Sequence, residues 1–191
     1  MNECPAGAAG REKKGMITIM SKEVKVTPMD TVNNARTMPW KVAIEPFRVA
    51  PRVWYVGNTW VGSFLIQTSE GLALIDTTVM EDLYLLIDSI HRLGFDPKDL
   101  KHIFLTHAHM DHDGAARALK ELTGAKVWLS REDEEWRHRP EADMSDTGFA
   151  IVPYETDCFY EDETPIVMGD VAIRTRLSAG HTPGTTSFFV E

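Results

Sequence analysis

The stretch Thr106-His107-Ala108-His109-Met110-Asp111-His112-Asp113-Gly114 limits what this chain can fold into more than any other. Ile103-Phe104-Leu105, just before it, is short, apolar and β-prone, so it reads as a buried strand. Three imidazoles and the Asp111 carboxylate therefore leave the end of a core strand and enter a loop, where a rigid scaffold usually carries its functional groups. Neutral imidazole and carboxylate are the donors that a borderline cation such as zinc takes. His107 and His109 are two residues apart, so in extended backbone they point the same way and can grip one ion. Asp111 and His112 follow past the bend and could face a second ion beside the first.

Composition fits a soluble scaffold around that stretch. A chain of 191 residues suits one domain, or one domain and a tail, and 43% hydrophobic with 26% charged residues is ordinary for a globular protein. The net charge of −9 argues against a nucleic-acid partner, which calls for a basic surface. No apolar run approaches the roughly 20 residues of a membrane span. Charges interrupt every greasy stretch of the first 26 residues, so no export signal is expected and a cytoplasmic location follows. Cys4 falls in a tail and Cys158 in a loop or at a sheet edge, which gives a disulfide framework little support.

Residues 1–38 lack a sustained period and are expected to be a flexible extension, with the folded domain over 39–191. Val53–Val56, Ser63–Gln67 and Leu72–Ile75 read as strands, the last ending at Asp76. Leu83, Leu86, Ile87, Ile90 and Leu93 make a helical stripe, with Thr78 and Glu81 as a capping box and Gly94 past the end. A short helix follows the histidine motif, then a strand over Ala125–Leu129. Ser130 caps a further helix, whose acidic run Glu132–Glu135 reads as a solvated helix start. His91, His102 and His138 read as structural or solvated. The stretch from Pro140 to about Thr164 reads as a long loop of the kind that borders a site, most flexible over Met144–Gly148. A hairpin around Gly169-Asp170 then delivers the chain to Gly180-His181-Thr182-Pro183-Gly184 and a strand over Thr186–Val190. With the upstream cluster, His181 supplies the third ligand of a His₃ site, the kind that leaves a fourth position to water.

The motif His107-Ala108-His109-Met110-Asp111-His112, paired with Gly180-His181-Thr182-Pro183-Gly184, resembles the metallo-β-lactamase superfamily of metal-dependent hydrolases. Tyr55-Val56-Gly57, Leu74-Ile75-Asp76, Leu93-Gly94-Phe95-Asp96-Pro97 and Thr123-Gly124-Ala125 match it in order and spacing. From Pro46-Phe47-Arg48-Val49 onward the run is most similar to the third subclass of metallo-β-lactamases, whose sites use His and Asp without a Cys ligand. The resemblance covers roughly residues 40 to 191 and implies an α/β fold, the N-terminal portion of a four-layer αββα sandwich. It implies His107, His109 and His181 as ligands of a first zinc, and Asp111 and His112 as ligands of a second. Asp76 would brace the metal loop from behind, or serve only as a turn cap. The implied reaction is zinc-dependent hydrolysis of a small-molecule carbonyl substrate: a β-lactam, a lactone or a thioester. Zinc lowers the pKa of its bound water from about 16 to about 7, and Asp111 would be the catalytic residue that orients the resulting hydroxide.

The same resemblance leads one to expect a continuation past Glu191, with a further aspartate and histidine for the second metal. Without it, one or two zinc ions would bind, the second short of ligands. An apolar sheet face would also stand open or be covered in an oligomer. A truncated, inactive or metal-binding-only fragment is therefore the alternative to a working enzyme. Nuclease and flavodiiron-like oxidoreductase branches of the superfamily remain further alternatives. The former is disfavoured by charge, and the latter by His109, where that branch typically has a carboxylate.

Overall fold

The computed structural model describes residues 26–191. Cys4 and most of the expected N-terminal extension lie outside that range. Among the described residues, ten strands form two sheets. The large one runs β1 (Phe47–Ala50), β2 (Val53–Tyr55), β3 (Phe64–Thr68), β4 (Gly71–Ile75), β5 (Leu100–Phe104), β6 (Lys126–Leu129) and β7 (Cys158–Phe159), in that spatial order. Pairing is antiparallel from β1 to β4 and parallel from β4 to β7. The small antiparallel sheet is β8 (Ile166–Met168), β9 (Val171–Leu177) and β10 (Thr186–Val190), with β9 in the middle. Parallel pairing needs crossovers, and helices supply them. The β4–β5 crossover carries α2 (Leu83–Arg92), and the β5–β6 crossover carries α3 (Met110–Asp113) and α4 (Ala116–Thr123).

Alternation along the central strands sorts their side chains onto two faces. Leu65, Leu74, Ile103, Val127 and Leu129 bury against Leu86 and Ile90 of α2 and Leu119 of α4. Ile66, Ala73, Ile75 and Phe104 turn the other way and meet Met168, Val171 and Ile173 of the small sheet. Phe104 sits at the centre of this second seam, its ring within 6.4 Å of Trp128, Tyr160 and Phe188. Helices, large sheet and small sheet are thus three of the four expected layers. The small sheet's outer face is open at Val167 and Phe189, which are 66% and 53% exposed. That face is not wholly apolar, because Arg174 pairs with Glu191 and Arg176 with Glu163. No described helix is long and apolar enough to cross a membrane.

Two expectations need correction. The stretch 1–38 is not uniformly an extension: Pro28–Thr37 form α1, opened by a capping box between Thr27 and Asp30 with Pro28 in the first turn. Ala35 of α1 is fully buried in a cluster with Val42, Val79, Met110 and Phe149, so the helix packs beside the histidine loop. A single buried alanine leaves no apolar stripe to read. Nor is Thr78 a helix cap. It takes a left-handed φ of +60°, and α2 starts only at Leu83, after a 3₁₀ turn over Met80–Asp82. Its carbonyl instead accepts from the Ala115 amide at 3.3 Å, while the Thr77 amide donates to His112 O at 2.7 Å. The end of α2 is as expected, with Gly94 in the left-handed region at φ +85°.

Phe104 fills the space between the sheets, so Phe104→Ala should destabilise the fold by about 3–5 kcal/mol. Urea unfolding checks this, and a loss below about 1 kcal/mol would contradict the packing described.

Candidate metal centre

The centre forms where β4, β5 and the β9–β10 turn converge. Beyond Phe104 the chain continues in register for one residue, the Leu105 amide donating to Trp128 O at 3.1 Å, and then leaves the sheet. His107 follows. His109 stands just ahead of α3, its carbonyl accepting from the His112 and Asp113 amides at 2.8 and 2.9 Å. The Thr186 amide of β10 donates to Thr106 O at 2.8 Å, which docks the small sheet onto the same loop and brings His181 alongside.

His107, His109 and His181 come together as the one group among the described residues with three candidate ligand atoms, all within 4.8 Å of one another. Their rings meet edge to face, with centroids 4.6–4.8 Å apart. His109 Nδ1 and His181 Nε2 are 2.9 Å apart. Asp111 and His112 form a pair beside the cluster, Asp111 Oδ2 lying 3.5 Å from His112 Nε2. The His112 ring centroid is 4.1 Å from that of His107.

Asp76 sets the orientation of this loop. It is buried, 4% exposed, at the end of β4 with a left-handed φ of +59°. Its Oδ1 accepts from the Thr106 amide at 2.7 Å. Its Oδ2 accepts from Thr106 Oγ1 at 2.8 Å and meets His112 Nδ1 at 2.7 Å. Of the two expected roles, bracing is therefore the one observed. Thr106 Oγ1 also lies 2.9 Å from His107 Nδ1. With the hydroxyl proton directed at Asp76, the network assigns the remaining proton to His107 Nδ1. The lone pair of His107 is then on Nε2, which is buried and has no hydrogen-bond partner. A buried acceptor without a partner is costly, and a cation held with His109 and His181 would satisfy it. The donor set therefore fits a divalent metal.

Protonation follows the same geometry. Burial, reinforced by the charges of His112, His109 and His181, pushes His107 down to about 3. Burial and His181 also lower His109. Burial opposes protonation of His112 as well, but the Asp76 hydrogen bond and the charges of Asp76, Asp111 and Asp113 outweigh it, so its pKa is raised. The chain thus keeps His107 neutral and ready as a ligand, the state that metal binding requires.

Residues 61–191 match the Metallo-beta-lactamase superfamily, and the chain belongs to that family. Among solved structures it is similar to the metallo-beta-lactamase GOB-18 from Elizabethkingia meningoseptica, at 34% identity and a TM-score of 0.73 over 80% of this chain and 58% of that one. It is likewise similar to BJP-1, a subclass B3 metallo-beta-lactamase of Bradyrhizobium japonicum, at 30% identity and a TM-score of 0.74 over 80% and 59%. Among curated proteins, the N-acyl homoserine lactonase AttM of Agrobacterium fabrum is 30% identical over 116 residues, 55% of this chain and 41% of the lactonase. The chain spans less than two thirds of the length of each of these relatives. BJP-1 bears out the resemblance to the third subclass.

Sequence reasoning left two participants unnamed. Thr106 carries the contact from Asp76 to His107, and only its place at the start of the motif hinted at that. Asp133, read as part of a solvated acidic run, is fully buried and bonded to both histidine loops. Glu134 is not free either, since it pairs with Arg137 at 2.8 Å and accepts from Thr156 Oγ1 at 2.6 Å. The other histidines stand as expected: His91 and His138 are exposed, and His102 Nδ1 accepts from the Trp128 indole at 2.8 Å. Cys158 is free and half-buried on β7, at the edge of the large sheet. The loop after Arg137 borders a cavity of about 450 Å³ that touches the metal loop at Ala108 and Met110 but is lined by none of the three histidines.

In the metal-free chain, His107 should stay neutral to about pH 3, whereas His112 should titrate above the ordinary imidazole value. The unfolded chain binds a proton at each histidine near pH 6.5 or so. As pH falls below that, His107 therefore subtracts stability, whereas the stability that His112 contributes at low pH is lost as pH rises through its raised value. Imidazole ¹⁵N shifts followed against pH read both, and a His107 that titrates at or above His112 would contradict the network.

Proposed function

We propose that this chain is a zinc-dependent hydrolase acting on a strained or activated carbonyl of the lactam, lactone or thioester class. The observation that carries this reading is the buried, unpartnered Nε2 of His107 within a cluster of three histidines. Membership in the family and likeness to a lactonase and to lactamases support the substrate class. A divalent metal, when bound, supplies Lewis acidity toward a carbonyl oxygen and an activated water at neutral pH.

The remaining work falls to the chain's own groups. His107, His109 and His181 hold the first ion. Thr106 and Asp76 fix the ring of His107, the usual way in which an outer partner orients a metal ligand. Asp111 keeps its carboxylate at the rim of the cluster, 22% exposed, where Oδ2 can take and return the proton of an attacking water. His112, held by Asp76 on one nitrogen and turned toward Asp111 on the other, steadies that carboxylate, and the Asp111–His112 pair offers donors to a second ion.

A second reading, metal binding without turnover, is favoured by one fact. Among the described residues Asp111 and His112 are joined by no third donor. Metal content measured with nitrocefin and N-acyl homoserine lactone hydrolysis separates the two. Turnover by the zinc-loaded chain supports the hydrolase, and bound zinc without turnover supports the second reading. If the chain is active, Asp111→Asn should keep the first ion and lower kcat by about 10²–10⁴-fold. Full activity in a metal-replete Asp111→Asn protein would remove Asp111 from the mechanism.

A further inference from the structure

Helix α5 (Arg131–Trp136) opens at Ser130, whose hydroxyl accepts from the Asp133 amide at 3.1 Å. Its first turn is acidic, as suits the positive end of a helix dipole, but Asp133 differs from its neighbours in being 0% exposed. The carboxylate makes three hydrogen bonds, none of them within its own helix. Oδ2 accepts from the Ala108 amide at 2.9 Å and from Thr182 Oγ1 at 2.8 Å, and Oδ1 accepts from the Gly184 amide at 2.7 Å.

The identity of these donors matters. Ala108 lies between His107 and His109, while Thr182 and Gly184 lie just beyond His181. One buried charge therefore holds the backbone of both ligand-bearing loops, whose histidines are 72 residues apart in the chain. Bonds to a charged acceptor are short and about twice as strong as neutral ones, and two oxygens fix direction as well as distance. Gly184 shows how close the approach is: a Cβ there would lie 2.0 Å from Ser130 Oγ and 2.5 Å from the Asp133 amide. Trp136, near the other end of α5, packs edge-on against His109 with ring centroids 5.3 Å apart. The N-terminus of α5 is thus the common backing of the cluster.

We propose that Asp133 is a positioning residue that sets the separation of His181 from the His107–His109 pair, and so the affinity and geometry of the metal site. This rests on the reading of the three histidines as ligands of one ion. Asp133 touches neither ion nor substrate; it acts through the two loops. A carboxylate that served the fold alone would affect unfolding and leave the ligand geometry of the folded protein unchanged.

Cobalt(II) titration of the metal-free chain, followed by its visible d–d bands, separates these roles. Thr182→Val keeps the shape of the side chain and removes one donor to Asp133. It should weaken cobalt binding by about 10–100-fold, the usual effect of losing an outer partner, and should change the band intensities. Thr182→Ser restores the hydroxyl and should recover the wild-type affinity and spectrum. Asp133→Asn should lose at least as much affinity as Thr182→Val; if it does not fold, the Val–Ser pair decides alone. A folded Thr182→Val protein with wild-type affinity and spectrum would overturn the positioning role. Wild-type protein that binds cobalt no more tightly than His181→Ala would overturn the metal-centre reading itself.

Discussion

The Asp76 carboxylate is the interaction on which the rest of the centre depends. It stands at the end of β4, next to the strand that delivers the histidines, and accepts from the Thr106 amide and hydroxyl while meeting the ring of His112. Burying a carboxylate is expensive unless it is well bonded, and Asp76 reaches its partners from a left-handed backbone at the end of its strand. Asp76 in turn fixes the Thr106 hydroxyl, Thr106 fixes the tautomer of His107, and the lone pair of Nε2 is left for a cation. Asp133 plays the matching part at the back, accepting from the amides of Ala108 and Gly184 and from the Thr182 hydroxyl, and so from both ligand-bearing loops.

These two carboxylates also show how much was legible in the sequence. The histidine motif, its strand, the alternating core of β3–β6 and the glycine-closed helices follow local rules of period and capping, and the structure keeps them. Asp76 was visible because it ends an apolar strand. Asp133 was not. A solvated acidic turn and a buried clamp have the same local pattern, and only the arrival of residues 182–184 tells them apart. Thr78 misled for a related reason. Its capping-box spacing was genuine, but contacts with Ala115 claimed its backbone first. Helix α1 was missed because Ala35 is its one fully buried residue, with Val32 partly buried beside it, too little for a stripe.

The family explains the order of these parts and leaves the second ion open. The chain aligns with well under two thirds of its solved relatives, and the small sheet presents an open outer face. The His₃ group is assembled by elements that all lie between β4 and β10. Its polarity is matched to a cation throughout. The neutral, buried imidazole of His107 stands in the cluster, and its neighbour His112 lies against the carboxylates of Asp76 and Asp111.

Zinc K-edge X-ray absorption on the chain loaded with one equivalent of zinc tests the central claim most directly. The account predicts three imidazole nitrogens at about 2.0–2.1 Å, completed by an oxygen donor, with one imidazole lost in His181→Ala. A first shell of oxygen donors alone, or an imidazole count unchanged in His181→Ala, would contradict it.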